Sequence, residues 1–272
     1  MNQRLDPVRA DWVAVRQRGD PEPARADLHV RRLVRARDRQ ATYRSIVSDR
    51  PILERSEREG LCDLFAELGP DAPTLCTGWT TSDLAVHLIM CEARPQAWLG
   101  VPLGNRVPAL RRYFDRMMDK ERAGGWPSLV ARVRRGPAYG PTANQWVRGH
   151  MMLREMLIHH EDVRRANGMG PRSDVLELQE AAWDKVPSFA KRLLVVAPPH
   201  GFELVHPDGR THRIRDGSPM VQLSGEPIEQ LLYAFGRTSV ARIEIVGPPG
   251  ALRVRDSGRL VALPRVRTES ST

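Results

Sequence analysis

Glu155 and His159 stand four residues apart in the stretch Arg154-Glu155-Met156-Leu157-Ile158-His159-His160-Glu161-Asp162. On a helix that spacing puts both on one face, about one turn from each other. A carboxylate and an imidazole so placed can fill two positions around one metal ion. A third donor comes from far upstream, where His87 falls on the apolar side of the run Asp83-Leu84-Ala85-Val86-His87-Leu88. Two neutral imidazoles and one carboxylate suit zinc, with one or more positions left open. An open position takes water or a thiolate; zinc lowers the pKa of bound water to about 7, and a coordinated thiol is deprotonated outright. The set would therefore generate a nucleophile at neutral pH, hydroxide for hydrolysis or thiolate for addition and transfer.

The neighbours of these residues each have two readings. His160 is rotated about 100° from His159, so it either faces a neighbouring helix or lines the pocket. Asp162 could orient a ligand from behind, or pair with Arg165 three residues on. Cys91, one turn beyond His87, reads as a buried inert thiol before it reads as a soft ligand. Trp79 reads as core packing before it reads as the pocket mouth. His150 lies off the face of Glu155, and no metal role is expected of it. His200, His206 and His212 are too scattered for a cluster and are expected to be solvated. Glu155-x3-His159 is not the His-Glu-x-x-His helix of zinc proteases, so protease chemistry does not follow. No P-loop, Gly-x-Gly-x-x-Gly or Gly-x-Ser-x-Gly motif occurs.

These donors must be positioned by helices. Leu61, Leu64, Phe65 and Leu68 recur at helical steps after Pro51, and Gly69-Pro70 stops the run. Thr80 is a good N-cap for a second helix, with Asp83 placed against the positive end of its dipole. Arg106 to Arg122 reads as a third helix, and a short one follows from Trp126 to Val133. The donor helix opens near Thr142, where Thr142-Ala143-Asn144-Gln145 reads as a capping box, and closes at Asn167-Gly168. A last helical region spans Ser173 to Val196, split or kinked at Pro187. Beyond Pro198-Pro199 the pattern changes. Phe202 to His206 and Thr211 to Ile214 alternate around Pro207-Asp208-Gly209 as a hairpin. Met220 to Leu223 is a third strand, Pro227 to Phe235 a short helix, and Arg242 to Val246 a fourth strand. The fold class is α+β. The expected division is a poorly ordered Arg-rich extension over 1–48, a metal-binding helical part over 49–198, a small α+β domain over 199–254 and a loose tail over 255–272.

The chain has 272 residues, 42 basic and 33 acidic, with a net charge of +9. Nearly all the basic residues are arginine, which suggests a GC-rich coding genome more than selection for nucleic-acid binding; basic charge alone supports non-specific attraction to polyanions. The extension is either unordered, an over-extended start, or a basic arm for a partner. Its aromatic residues are Trp12 and Tyr43, and they are not interleaved through its basic run. Cys62, Cys76 and Cys91 are odd in number and widely spaced, so a disulfide framework is not expected and a reducing compartment fits. No apolar run approaches the ~20 residues of a membrane span, and no signal-peptide core opens the chain. The expected location is the cytoplasm.

Gly78-Trp79-Thr80 followed by Asp83 to Leu88 resembles the first metal motif of the DinB-like, mycothiol-dependent maleylpyruvate isomerase superfamily. Glu155-Met156-Leu157-Ile158-His159-His160-Glu161-Asp162-Val163 is similar to its second. Leu231-Leu232-Tyr233-Ala234-Phe235-Gly236-Arg237 resembles part of that family's appended C-terminal α/β domain. The likeness runs over roughly 51–250 and is strongest to a metal-binding branch of the family. It implies an N-terminal four-helix bundle with a divalent metal, zinc by its donors, at one end, held by His87, Glu155 and His159. It also implies mycothiol as a thiol cofactor with its sulfur at the metal, and a catalytic role for Arg237. The chemistry implied is isomerisation or S-transfer: the thiolate adds to a conjugated double bond of a small electrophile, the bond rotates, and elimination returns the thiol. The competing readings are a zinc hydrolase of the same bundle, a non-catalytic metal or ligand binder, and, ranked last, a nucleic-acid binder. No specific nucleic-acid or membrane partner is expected, and the chain is expected to be a monomer or homodimer.

Overall fold

The computed structural model describes residues 49–93, 116, 119–172 and 174–255. All of these belong to one compact unit. The extension over 1–48, most of the expected third helix and the tail beyond 255 lie outside the described residues.

The fold is mixed α+β. Helix α1 runs over 49–68 and ends at Gly69, whose φ of 82° suits only glycine without strain. Helix α2 is Thr81–Ala93. Its start is a reciprocal cap: the Thr80 N–H donates to Asp83 Oδ2 at 3.0 Å and the Asp83 N–H donates to Thr80 Oγ1 at 3.4 Å. Helix α3, Trp126–Arg135, lies between Gly125 and Gly136. Helix α4, Gln145–Ala166, is the long one. Thr142 does not cap it. Asn144 does, taking the N–H groups of Trp146 and Val147, while Thr142 is buried and donates to the Glu92 carbonyl at 2.7 Å. The turn of 3-10 helix at Pro141–Ala143 moves the start of α4 downstream of the threonine.

Pro187 splits the next helical region into α5, Leu176–Trp183, and α6, Val186–Leu193. The region ends earlier than expected: Leu194–Val196 is strand β1, paired antiparallel with β6, Leu252–Val254. Strands β2 (Gly201–Val205) and β3 (Thr211–Arg215) form the hairpin. Strand β4, Met220–Ser224, runs parallel to β2 on its other side. Helix α7 is Pro227–Ala234, and β5, Glu244–Val246, closes the second sheet in the order β3-β2-β4-β5. His206 is not solvated as expected. It is buried with its ring 5.1 Å from that of Trp183, and His212 lies 4.4 Å from the same indole.

Helix α4 serves two apolar cores. Met152, Met156 and Val163 pack with α1, α2 and α3. Leu153, Leu157 and Ile158 pack with α5, α6, α7 and the second sheet. The stripe Glu155, His159, Asp162 is at i, i+4 and i+7 on the same helix, so its direction is set by both cores. Helix α1 crosses α4 closely at Gly149, where an added Cβ would stand 2.6 Å from the Pro51 nitrogen. Backbone cannot give way as a side chain can. Gly149→Ala is expected to cost about 2–3 kcal/mol or more, a fall of roughly 5–10 °C in the thermal midpoint, read by circular dichroism. No helix among the described residues is long and apolar enough to cross a membrane.

Candidate metal centre

Helices α2 and α4 pack against each other. That contact brings His87 to Glu155 and His159. One carboxylate oxygen, Glu155 Oε2, is 3.8 Å from His87 Nε2 and 3.4 Å from His159 Nε2. The two imidazoles meet edge to face with centroids 5.1 Å apart. One donor atom from each of the three residues lies within 4.8 Å of the other two. Ligands about 2.0–2.2 Å from a tetrahedral ion stand about 3.3–3.6 Å from one another, so these separations are close to those of a coordination shell. The other Glu155 oxygen accepts hydrogen bonds from the Arg154 guanidinium. Arg154 in turn lies over the Phe189 ring, 4.8 Å from its centroid. Trp79 packs against His87, with ring centroids 5.2 Å apart, while also touching the core.

His159 is held from behind. Its Nδ1 is 2.9 Å from Asp162 Oδ2. Asp162 is fully buried and accepts Arg237 Nε at 2.7 Å and Arg237 Nη2 at 2.6 Å. An acceptor at Nδ1 keeps a proton on that nitrogen, so Nε2, which faces Glu155, is the nitrogen left to ligate a metal once its own proton is lost. Asp162 pairs with His159 and Arg237 and not with Arg165, which pairs with Glu161 and Glu229. His160 faces α1, with its Nδ1 3.2 Å from Glu57. His150 stacks on Trp146. Arg237 lies on the Nδ1 side of His159, and its hydrogen bonds go to Asp162, Cys76 and the Phe235 carbonyl.

The electrostatics of the pocket favour positive charge. Burial pulls the His87 pKa down, but Cys91 and Glu155 more than reverse this and raise it to about 9. Burial likewise opposes the proton on His159, and Asp162, Cys76 and Glu155 hold it on well above the ordinary range. Burial would raise Glu155, yet the two imidazoles keep it well below the usual carboxylate range. Cations, whether protons or a metal ion, are what this cluster stabilises.

A second trio shares His159. Cys76 Sγ is 3.9 Å from His159 Nδ1 and 3.3 Å from Asp162 Oδ2. The Arg237 guanidinium contacts two of its three members, standing 3.4 Å from the sulfur. A fixed positive charge on two of its three members opposes a metal ion more than Arg154, on one member of the first trio, opposes it there. Cys76 and Arg154 are the neighbours that the sequence reading did not single out. Cys76 sits in the loop 69–80, which has no periodicity to flag it; the Leu75 N–H bonds the Asp162 carbonyl at 3.2 Å and pins that loop to α4.

No family model matches the sequence, and no curated protein matches it. Two solved structures are similar. One is a histidine-to-alanine mutant of the mycothiol-dependent maleylpyruvate isomerase, with 16% identity and a TM-score of 0.44 over 75% of this chain and 96% of that one. The other is the mycothiol-dependent maleylpyruvate isomerase itself, with 13% identity and a TM-score of 0.44 over 73% and 92%. The relation is distant.

Proposed function

We propose that this protein holds one divalent ion, zinc by the chemistry of its donors, at His87, Glu155 and His159, and works as a thiol-dependent isomerase or S-transferase on a small electrophile. The observation that carries the reading is the convergence of two imidazole nitrogens on one carboxylate oxygen at 3.8 and 3.4 Å. When bound, the ion would supply a Lewis acid with room for a low-molecular-weight thiol such as mycothiol, held as its thiolate. The chain's own part is positional. His87 and His159 present Nε2, Glu155 supplies the negative charge, and Asp162 holds His159 in the tautomer that can ligate. Arg237, for which the family resemblance implies catalysis, stands in this reading as a positioning residue that fixes Asp162. We also take the helical part as the four-helix bundle of that family over 49–198, the small domain as 199–254, and the protein as cytoplasmic and monomeric or homodimeric.

The test is zinc content by elemental analysis followed by a screen of electrophiles with and without added thiol. One zinc per chain and turnover only with thiol is the expected result. Turnover with zinc and no thiol would mark a hydrolase instead.

Two further outcomes are expected. Asp162→Asn puts an amide where the acceptor stood, frees the His159 tautomer and should weaken zinc about 10–100-fold, read by competition with a chelator. The pH dependence has a definite sign. Protons compete with the ion while His87 and His159 are protonated, so zinc affinity should rise with pH through about 9, where His87 loses its proton. The metal-free protein should show the opposite trend. A histidine raised from 6.5 to about 9 stabilises the fold below pH 6.5 and loses that contribution as pH rises through about 9. The thermal midpoint without metal should therefore fall across that window while the increment from added zinc grows.

A further inference from the structure

Along α4, His150, Arg154 and Leu157 stand at i, i+4 and i+7, on the face next to the one that carries Glu155 and His159. That face and helices α5, α6 and α7 border a cavity of about 70 Å³. Its polar lining is Arg50, His150, Arg154 and Lys185, and no acidic side chain among the described residues lines it. The rest of the wall is apolar and includes Leu157, Phe189 and Leu231. Arg50 is 4% exposed. Its Nη2 pairs with Asp184, while its Nε is buried and has no hydrogen-bond partner. Lys185 Nζ lies 3.2 Å from the same Asp184. Two cations thus share that carboxylate, in surroundings where a charge short of counter-charge is costly. A few polar groups converging on an apolar cavity is the form that small-molecule sites take. Lys185 and Met151, both partly exposed, give the cavity a mouth to solvent.

We propose that this cavity binds a small monocarboxylate of the size of acetate. The carboxylate accepts hydrogen bonds from Arg50 Nε and Lys185 Nζ, charge-assisted on both sides. The methyl group lies against Leu157, Phe189 and Leu231. With the ligand in place, the two cations meet two carboxylates, Asp184 and its own. Size limits the choice. At about 30 Å³ for each water, the cavity has room for about two waters or one anion of roughly four non-hydrogen atoms, so long-chain acids and dicarboxylates exceed it. The positive lining turns away cations of the same size. Arg154 lines the cavity and also bonds Glu155, so it stands between this site and the metal centre. The proposal does not depend on the metal reading.

Ligand-observed NMR of acetate with the full chain, at constant ionic strength, tests this without any assay of activity. Acetate is expected to bind saturably at one site, with a dissociation constant on the order of 1 mM, as so few atoms allow. Methylammonium, of the same size and opposite charge, is expected not to bind. Lys185→Gln changes a side chain that is 42% exposed and should weaken acetate about tenfold. Arg50→Lys keeps a charge for Asp184 but removes Nε, and should weaken it by a similar factor. Lys120→Gln alters an exposed lysine away from the cavity and should change nothing. Circular dichroism checks each fold, and Lys185→Gln decides alone if Arg50→Lys does not fold. No saturable binding, or affinity unchanged in a folded Lys185→Gln or Arg50→Lys, would overturn the proposal. So would an equal loss in Lys120→Gln, and so would displacement by an equal concentration of chloride, which would mark a site for inorganic anions only.

Discussion

His159→Ala is expected to lower zinc affinity by about a thousandfold. The estimate comes from sharing the ~12 kcal/mol typical of a protein zinc site among three donors, close to 4 kcal/mol each. This residue is chosen because its ring joins both halves of the arrangement. Nε2 faces Glu155 Oε2 at 3.4 Å, and Nδ1 faces Asp162 at 2.9 Å. Its loss also leaves Asp162 and Arg237 paired to each other with nothing to orient. Because the alanine opens a hole in a buried place, Glu155→Gln is the companion variant. It keeps the shape and removes the one carboxylate oxygen that faces both imidazoles. Chelator competition reads both variants, and circular dichroism shows whether the helices survive. Affinity within about threefold of wild type in either variant, with the fold intact, would contradict the assignment.

The second large effect is on stability. Arg58 is 2% exposed and lies between Glu54 and Glu92, which are 0% and 3% exposed. It also donates to the Val133 carbonyl at 2.7 Å, tying α1 to α2 and α3. Arg58→Ala removes the counter-charge of two carboxylates that cannot reach water. Arg148 remains on Glu54 at 3.1 Å but offers Glu92 no hydrogen bond of its own. Breaking a buried pair in this way costs about 3–5 kcal/mol, so the midpoint should fall by roughly 10–15 °C. Acid should lessen the loss. Burial already holds the Glu92 pKa above its ordinary value even with Arg58 present, and without Arg58 it should rise further. A protonated carboxyl needs no partner, so the difference between variant and wild type should be smaller at pH 5 than at pH 7. An equal difference at both would show that lost packing, not charge, is the cause.

The buried ion pairs mark where sequence reading stops. Glu54, Arg58, Glu57 and Glu161 recur at helical steps, as charged residues on a solvated face do, yet all four are buried. Glu57 on α1 meets His160 and Arg172, more than 100 positions away, and Arg172 also reaches Glu161 on α4, so these charges are satisfied by residues that no local pattern ties to them. The start of helix α2 was legible to the residue because its cap is local, Thr80 with Asp83. The start of α4 was misplaced because Thr142, a fit N-cap by type, is spent on Glu92. Strands β1 and β6 were missed because each has three residues and its partner lies more than 50 positions away, beyond any local pattern. Of the candidate site, the i, i+4 relation of Glu155 and His159 is local and readable. That α2 turns His87 toward that face depends on the packing of two helices, and the role of Asp162 depends on an arginine 75 residues later.

The most direct measurement is anomalous X-ray diffraction from a zinc-loaded crystal at the zinc edge. It locates the ion itself and separates the two trios that share His159. The account predicts one strong peak on the Nε2 side of that ring, about 2.0–2.2 Å from donors of His87, Glu155 and His159. A peak on the Nδ1 side, among Cys76, His159 and Asp162, or no peak at either place, would contradict it.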